Sequence, residues 1–135
     1  MKRAMLKRGF TFGALMALVI TGNAMAAQRV EQSGNYQYTT STDIQVEMNP
    51  QHEHNVSITA EGQTLNFVHT PDRVNHGLKF DNLPVSTITI NGKKLTFTGN
   101  SSISDSYGIL LQNNNIANIY GESIAATGSW SGLLI

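Results

Sequence analysis

Four histidines, nine carboxylates and many hydroxyls are the side chains of this 135-residue chain with chemistry to offer. His52-Glu53-His54 sets two imidazoles at i and i+2, on one face of an extended strand, a beginning for a zinc or nickel site. A third ligand would have to come from His69 or His76, and nothing in the spacing brings either near. The stretch N-P-Q-H-E-H-N also reads as a polar loop between two strands, and no metal site or cofactor is expected. Nucleophilic catalysis lacks a motif: there is no G-x-S-x-G, and Gly128-Ser129-Trp130-Ser131-Gly132 centres on tryptophan. Asp72, Asp81, Asp105 and Glu122 are dispersed, with Arg73 and Lys79 near them only in sequence, so acid–base chemistry lacks its cluster. A neighbouring segment would bring Asp81 near Gln112 rather than near another acid. Calcium-binding G-G-x-G-x-D repeats are absent, and Asn113-Asn114-Asn115 reads as a turn. Trp130 is expected to pack in a core rather than stack on a carbohydrate. No catalytic residue is expected, and the chain reads as non-enzymatic.

The elements that carry these residues begin with a leader. Lys2, Arg3, Lys7 and Arg8 form a basic start, Gly9 to Gly22 is uncharged and mostly apolar, and Ala24-Met25-Ala26 supplies small residues before a cut at Ala27. Residues 1–26 are therefore expected to be a cleaved signal helix, handled by the Sec export machinery and signal peptidase. The apolar run is shorter than the ~18–20 residues that span a bilayer, so no mature transmembrane helix is expected. With no cysteine at the junction, a lipid-anchored lipoprotein is excluded.

Removing the leader changes the electrostatics. The whole chain balances nine basic against nine acidic residues. Residues 27–135 keep Arg29, Arg73, Lys79, Lys93 and Lys94 against all nine acids, a formal charge of −4. Such a chain has no electrostatic footprint for nucleic acid or anionic lipid. Lacking cysteine, it has no disulfides to compensate for a thin core.

From Ala27 onward, 12 Asn, 11 Ser, 11 Thr and 9 Gly make up 43 of 109 residues. These are poor helix formers that favour strands and turns. Apolar residues alternate in short bursts such as Tyr36/Tyr38, Ile44/Val46/Met48, Val56/Ile58/Ala60, Ile88/Ile90 and Leu95/Phe97, the period of a half-buried strand. Residues 57–68 align without gaps on 87–98, which matches Ile58 with Ile88, Gly62 with Gly92, Leu65 with Leu95 and Phe67 with Phe97. Gly77-Leu78-Lys79-Phe80 matches Gly108-Ile109-Leu110-Leu111, echoed again by G-L-L-I at 132–135. Two all-β architectures suit the pattern. One is a short parallel β-helix, a solenoid whose inward positions form apolar rows and whose corners take Asn and Gly. The alternative is an antiparallel β-sandwich with Asn91-Gly92 as a hairpin turn. The uneven repeat spacing favours the solenoid, because insertions at corners leave stacked rows intact.

The leader, together with repeats such as I-T-I-N-G-K-K-L-T-F-T-G and S-Y-G-I-L-L-Q-N-N-N, resembles the N-terminal signal and β-helical passenger region of a type V autotransporter of Gram-negative bacteria. The resemblance implies export across the inner membrane and passage through a C-terminal β-barrel to the cell surface. It further implies a surface adhesion or display role toward a host or surface ligand. Absence of cysteine fits that route. No barrel follows Leu133-Leu134-Ile135, which predicts a passenger truncated before the barrel. An intact autotransporter would place residues 27–135 at the cell surface or outer membrane, and the chain complete as given would reach the periplasm. A small periplasmic or fimbrial-type binding domain that recruits partner strands, and more weakly a glycan-active enzyme, are the alternatives.

Overall fold

The computed structural model describes residues 17–20, 27–69, 75–80, 84–113 and 115–135. Its described residues form eleven strands and no helix: β1 (Ala17–Ile20), β2 (Gln28–Val30), β3 (Gly34–Tyr38), β4 (Thr42–Val46), β5 (Asn55–Val68), β6 (Leu78–Phe80), β7 (Thr87–Thr98), β8 (Tyr107–Leu111), β9 (Ile116–Tyr120), β10 (Ser123–Thr127) and β11 (Ser131–Leu134). The expected all-β class is present. No helix among the described residues is long and apolar enough to cross a membrane. Of the expected signal segment, only Ala17–Ile20 is described, and it is a strand rather than part of a helix. Ala24 and Ala26 of the cleavage site lie outside the described residues, while Ala27 stands immediately before β2.

Every described strand pair is parallel. β1, β3, β5, β7 and β9 pair in succession, and β5 and β7 are long enough that their second halves join another succession, β2, β4, β5, β7 and β10. A separate three-stranded sheet runs β6, β8, β11. The hairpin alternative is thereby corrected. Asn91 and Gly92 lie inside β7, where they pair with Thr59 and Ala60 of β5, and no antiparallel partner follows them. Asn-Gly favours a tight turn only when the flanking segments can pair with each other. Here both flanks meet parallel partners that bury the same apolar side chains.

The registers set apolar residue on apolar residue. One row runs Tyr36, Ile58, Ile90, Ile119, and another runs Leu65, Leu95, Ile124. A third runs Ile44, Phe67, Phe97, Ala126, and a fourth Leu78, Ile109, Leu133. The Phe67 and Phe97 rings stack at 4.7 Å with a 12° tilt. Fully burying each such side chain contributes about 1.5–3 kcal/mol. Residues between them along the strands face outward and are mostly Asn, Ser, Thr and Gln, so one alternating pattern makes both a dry face and a wet one.

The repeat at 108–111 lies where the sequence places it, with Leu78 opposite Ile109 and Leu133 opposite Ile109 from the other side. The longer repeat does so only in its second half. Leu65 faces Leu95 and Phe67 faces Phe97, but Ile58 faces Ile90 rather than Ile88, because the register shifts between Ala60 and Thr64. The shift falls at Gly62, whose φ of 72° lies in the left-handed region open to glycine.

Candidate functional site

The reactive side chains gather at the corners that precede strands. Ser33, His54, Ser86 and Asn115 stand immediately before β3, β5, β7 and β9, and the side chains of Ser33, Ser86 and Asn115 each accept a backbone amide at the start of a neighbouring strand. The Asn55 amide donates to Ser33 Oγ at 3.0 Å. The His54 amide donates to Ser86 Oγ at 2.9 Å, and that hydroxyl donates to the Pro84 carbonyl at 2.7 Å. The Ser86 amide donates to Asn115 Oδ1 at 2.8 Å, while Asn115 Nδ2 donates to the carbonyls of Gln112 at 2.8 Å and Phe80 at 3.3 Å. His54, Ser86 and Asn115 are all buried. Amides that start a strand at a bend have no regular partner, and Ser33, Ser86 and Asn115 supply one.

His54 is thus a structural histidine. Its Nε2 sits 3.0 Å from the Asn49 carbonyl, which only accepts, so the proton is on Nε2. His52 and Glu53 are exposed, so the two imidazoles of His52-Glu53-His54 take opposite environments instead of sharing one face. His69 is half-buried and its Nδ1 has no hydrogen-bond partner. His76 accepts the Tyr107 amide at Nδ1 (3.0 Å), with the two rings 5.5 Å apart. Among the described residues, no three His, Asp or Glu side chains are placed to hold one metal ion.

A second corner joins Ser106 to Ser129. The Ser106 amide donates to Ser129 Oγ at 3.1 Å, the Ser129 amide returns a bond to Ser106 Oγ at 3.0 Å, and Ser106 Oγ lies 2.7 Å from the Asn100 carbonyl. Ser129 is the first serine of the G-S-W-S-G string, so its hydroxyl serves the backbone. Trp130 beside it is 69% exposed, which corrects the expectation that it packs in the core. No described strand lies beyond β11 to cover it.

Among the described carboxylates, two share one cation. Arg29 bridges Glu31 (3.1 Å) and Glu47 (2.7 Å) at the rim of a cleft of about 460 Å³ bounded by Glu31, Glu47, Met48 and Asn49. Asp43 accepts from Asn66 Nδ2 at 2.9 Å, and Thr96 donates to Asn66 Oδ1 at 2.7 Å, an outward polar row across β4, β5 and β7. Glu61, Lys93, Tyr120 and Glu122 border a second cleft of about 290 Å³. Asp105 is exposed, and Asp72, Arg73, Asp81 and Asn114 lie outside the described residues. The Gln112 amide donates to the Phe80 carbonyl at 3.0 Å.

Two buried phenols sit at the β3 level. Burial pushes the Tyr38 hydroxyl up to about 12, and its oxygen has no hydrogen-bond partner. Burial likewise raises Tyr36, which donates to the Gln32 carbonyl at 2.8 Å. Reading single residues missed the corner network of Ser86, Ser106 and Asn115. Its trace is a serine or asparagine directly before the first residue of the strand. Compared with family models, curated proteins and solved structures, the chain matches none.

Proposed function

We propose that this chain is an exported, non-enzymatic β-repeat protein that resembles an autotransporter passenger and serves surface adhesion or display. In this reading residues 1–26 are the leader, the cut falls before Ala27, and residues 27–135 wind as a short parallel β-helix. The observation that carries the reading is the division of labour among polar side chains. Serine and asparagine at the corners hold backbone amides, while outward rows such as Asp43, Asn66, Thr96 present amides, hydroxyls and carboxylates to solvent. A regular polar face of that kind suits extended, multipoint contact with another surface. The registers support the winding: successive parallel partners place apolar on apolar along each row.

The test is expression of the full chain with its own leader in a Gram-negative host. The expected outcome is an exported protein whose intact mass lacks the first 26 residues. Full-length protein confined to the cytoplasm refutes the reading. Protease added to intact cells then separates surface display from periplasmic retention.

A further inference from the structure

Beside the inward row Tyr36, Ile58, Ile90, Ile119 runs an outward one, Gln37, Thr59, Asn91, Tyr120, across β3, β5, β7 and β9. It borders the bend where each level turns from the first succession of strands into the second. Glu61, Lys93 and Glu122 stand at that bend, all exposed. The Glu122 amide donates to the Lys93 carbonyl at 2.9 Å, which fixes the bends of neighbouring levels against each other. The cleft of about 290 Å³ bordered by Glu61, Asn91, Lys93, Tyr120 and Glu122 adjoins one of about 350 Å³ bordered by Gln37, Thr59 and Glu61. Glu61 is common to both, so one groove crosses four levels, three strand spacings or about 14 Å.

Two features set this groove apart from the rest of the polar surface. The first is placement. In this succession β5 and β7 are paired on both sides, so Thr59, Glu61, Asn91 and Lys93 face solvent sideways whatever lies beyond the outermost strands. Tyr120 shares the outward phase of Asn91, and its ring is 57% exposed on the same face. The second feature is that the polar side chains are uncommitted. On the other face Asp43, Asn66 and Thr96 are bonded to one another. Glu61, Asn91, Lys93 and Glu122 make no side-chain hydrogen bond or ion pair among the described residues.

We propose that this groove binds an uncharged oligosaccharide, laid along the stack with its sugar units against successive levels. The proposal rests on the surface-adhesion reading and deepens it by naming the ligand and its site. A sugar carries donors and acceptors side by side along its edge and C–H groups on its face. Glu61 and Glu122 accept from its hydroxyls, Asn91 and Lys93 donate to its oxygens, and the Tyr120 ring covers a C–H face. Two carboxylates against one ammonium, in a region of net charge −4, oppose a sulfated or uronic polymer. An extended peptide adding as a strand needs free main-chain groups, and those of β5 and β7 are already paired on both sides.

The full chain is expressed with its native leader, recovered from the exported fraction, and checked by intact mass and far-UV circular dichroism. It is then applied to immobilised neutral oligosaccharides of glucose, galactose, mannose and N-acetylglucosamine, with heparin as the anionic comparison. Retention on a neutral oligosaccharide and none on heparin is expected. Tyr120→Ala and Glu61→Ala should each weaken that retention about fivefold or more, the loss of one ring contact or one hydrogen bond to a charged group. Tyr120→Phe keeps the ring and should bind nearly as the native chain does. Asp105→Ala, exposed in the segment between β7 and β8, should change nothing. Folded, processed protein that retains no neutral oligosaccharide, or that prefers heparin, overturns the proposal and leaves export and display standing. Binding that survives both alanine substitutions overturns it in the same way. Full-length protein confined to the cytoplasm refutes instead the reading on which it rests.

Discussion

Asn115 concentrates three hydrogen bonds in one side chain that is 8% exposed, so its replacement should unfasten β9 from the levels before it. In Asn115→Ala the buried Ser86 amide loses its 2.8 Å partner, which costs about 1–3 kcal/mol. The Gln112 carbonyl loses a donor worth about 1 kcal/mol, and the Phe80 carbonyl keeps the Gln112 amide. The expected loss is about 2–4 kcal/mol in urea unfolding of the full chain followed by far-UV circular dichroism. Asn115→Asp separates the roles of the two side-chain atoms. A carboxylate still accepts from Ser86 but faces two carbonyl oxygens where an NH₂ stood. Its folded pKa is therefore raised, so stability is full below the unfolded value of about 3.9 and is lost as pH rises through the folded value. Relative to wild type at the same pH, Asn115→Asp should be markedly weaker at pH 7 than at pH 3.5. An Asn115→Ala deficit below about 0.5 kcal/mol, smaller than one net hydrogen bond, would refute the corner's role. So would an Asn115→Asp deficit that ignores pH.

Tyr38 and the glycines give two further expectations. With the Tyr38 phenol at about 12 in the folded chain against 10 unfolded, stability should be intact below pH 10 and fall by about 2–3 kcal/mol between pH 10 and 12. Tyrosinate absorbance should show that late step, and Tyr38→Phe should remove it while costing no stability, because the buried hydroxyl has no partner. At Gly108 an added Cβ would lie 2.5 Å from the Thr127 amide nitrogen and 2.7 Å from the Phe97 carbonyl, backbone on both sides. Gly108→Ala should therefore destabilise by about 3 kcal/mol or more. Gly62→Ala meets no atom within 4 Å and should cost only the left-handed strain of about 1–2 kcal/mol. Equal or reversed losses in thermal unfolding would contradict the packing at Gly108.

Several features of the fold are legible residue by residue. Alternation in Ile44/Val46/Met48 and Leu95/Phe97 marks both the strands and their buried faces, since all five side chains lie in the core. Glycine and leucine spacing places 77–80, 108–111 and 132–135 in one sheet. The match of Ile58 to Ile88 fails by two residues for a reason built into strands. A slip of two keeps every side chain on its own face, so hydrophobic pattern cannot tell offset 30 from offset 32. Asn91-Gly92 misleads in another way, because a turn propensity is local while the choice between parallel and antiparallel partners is not. The histidines and serines carry the least legible roles. His54 and Ser86 come together across 32 residues of chain, and neither spacing nor residue type announces that contact.

Amino-acid order alone dictates that this chain is built of strands, which side chains turn inward, and that residues 27–135 bear a net negative charge with no cysteine. Those properties follow from local sterics, the two-residue period and counting. The tertiary structure decided that the partners are parallel, that the register slips at Gly62, and that the corner side chains hold backbone amides. It also decided that Trp130, Ile124 and Leu133 stand exposed, with no described strand lying over β10 or β11. A strand's hydrogen-bonding groups are the same whatever its neighbour. Which neighbour it takes, and which edge it leaves open, depends on burial summed over every level at once.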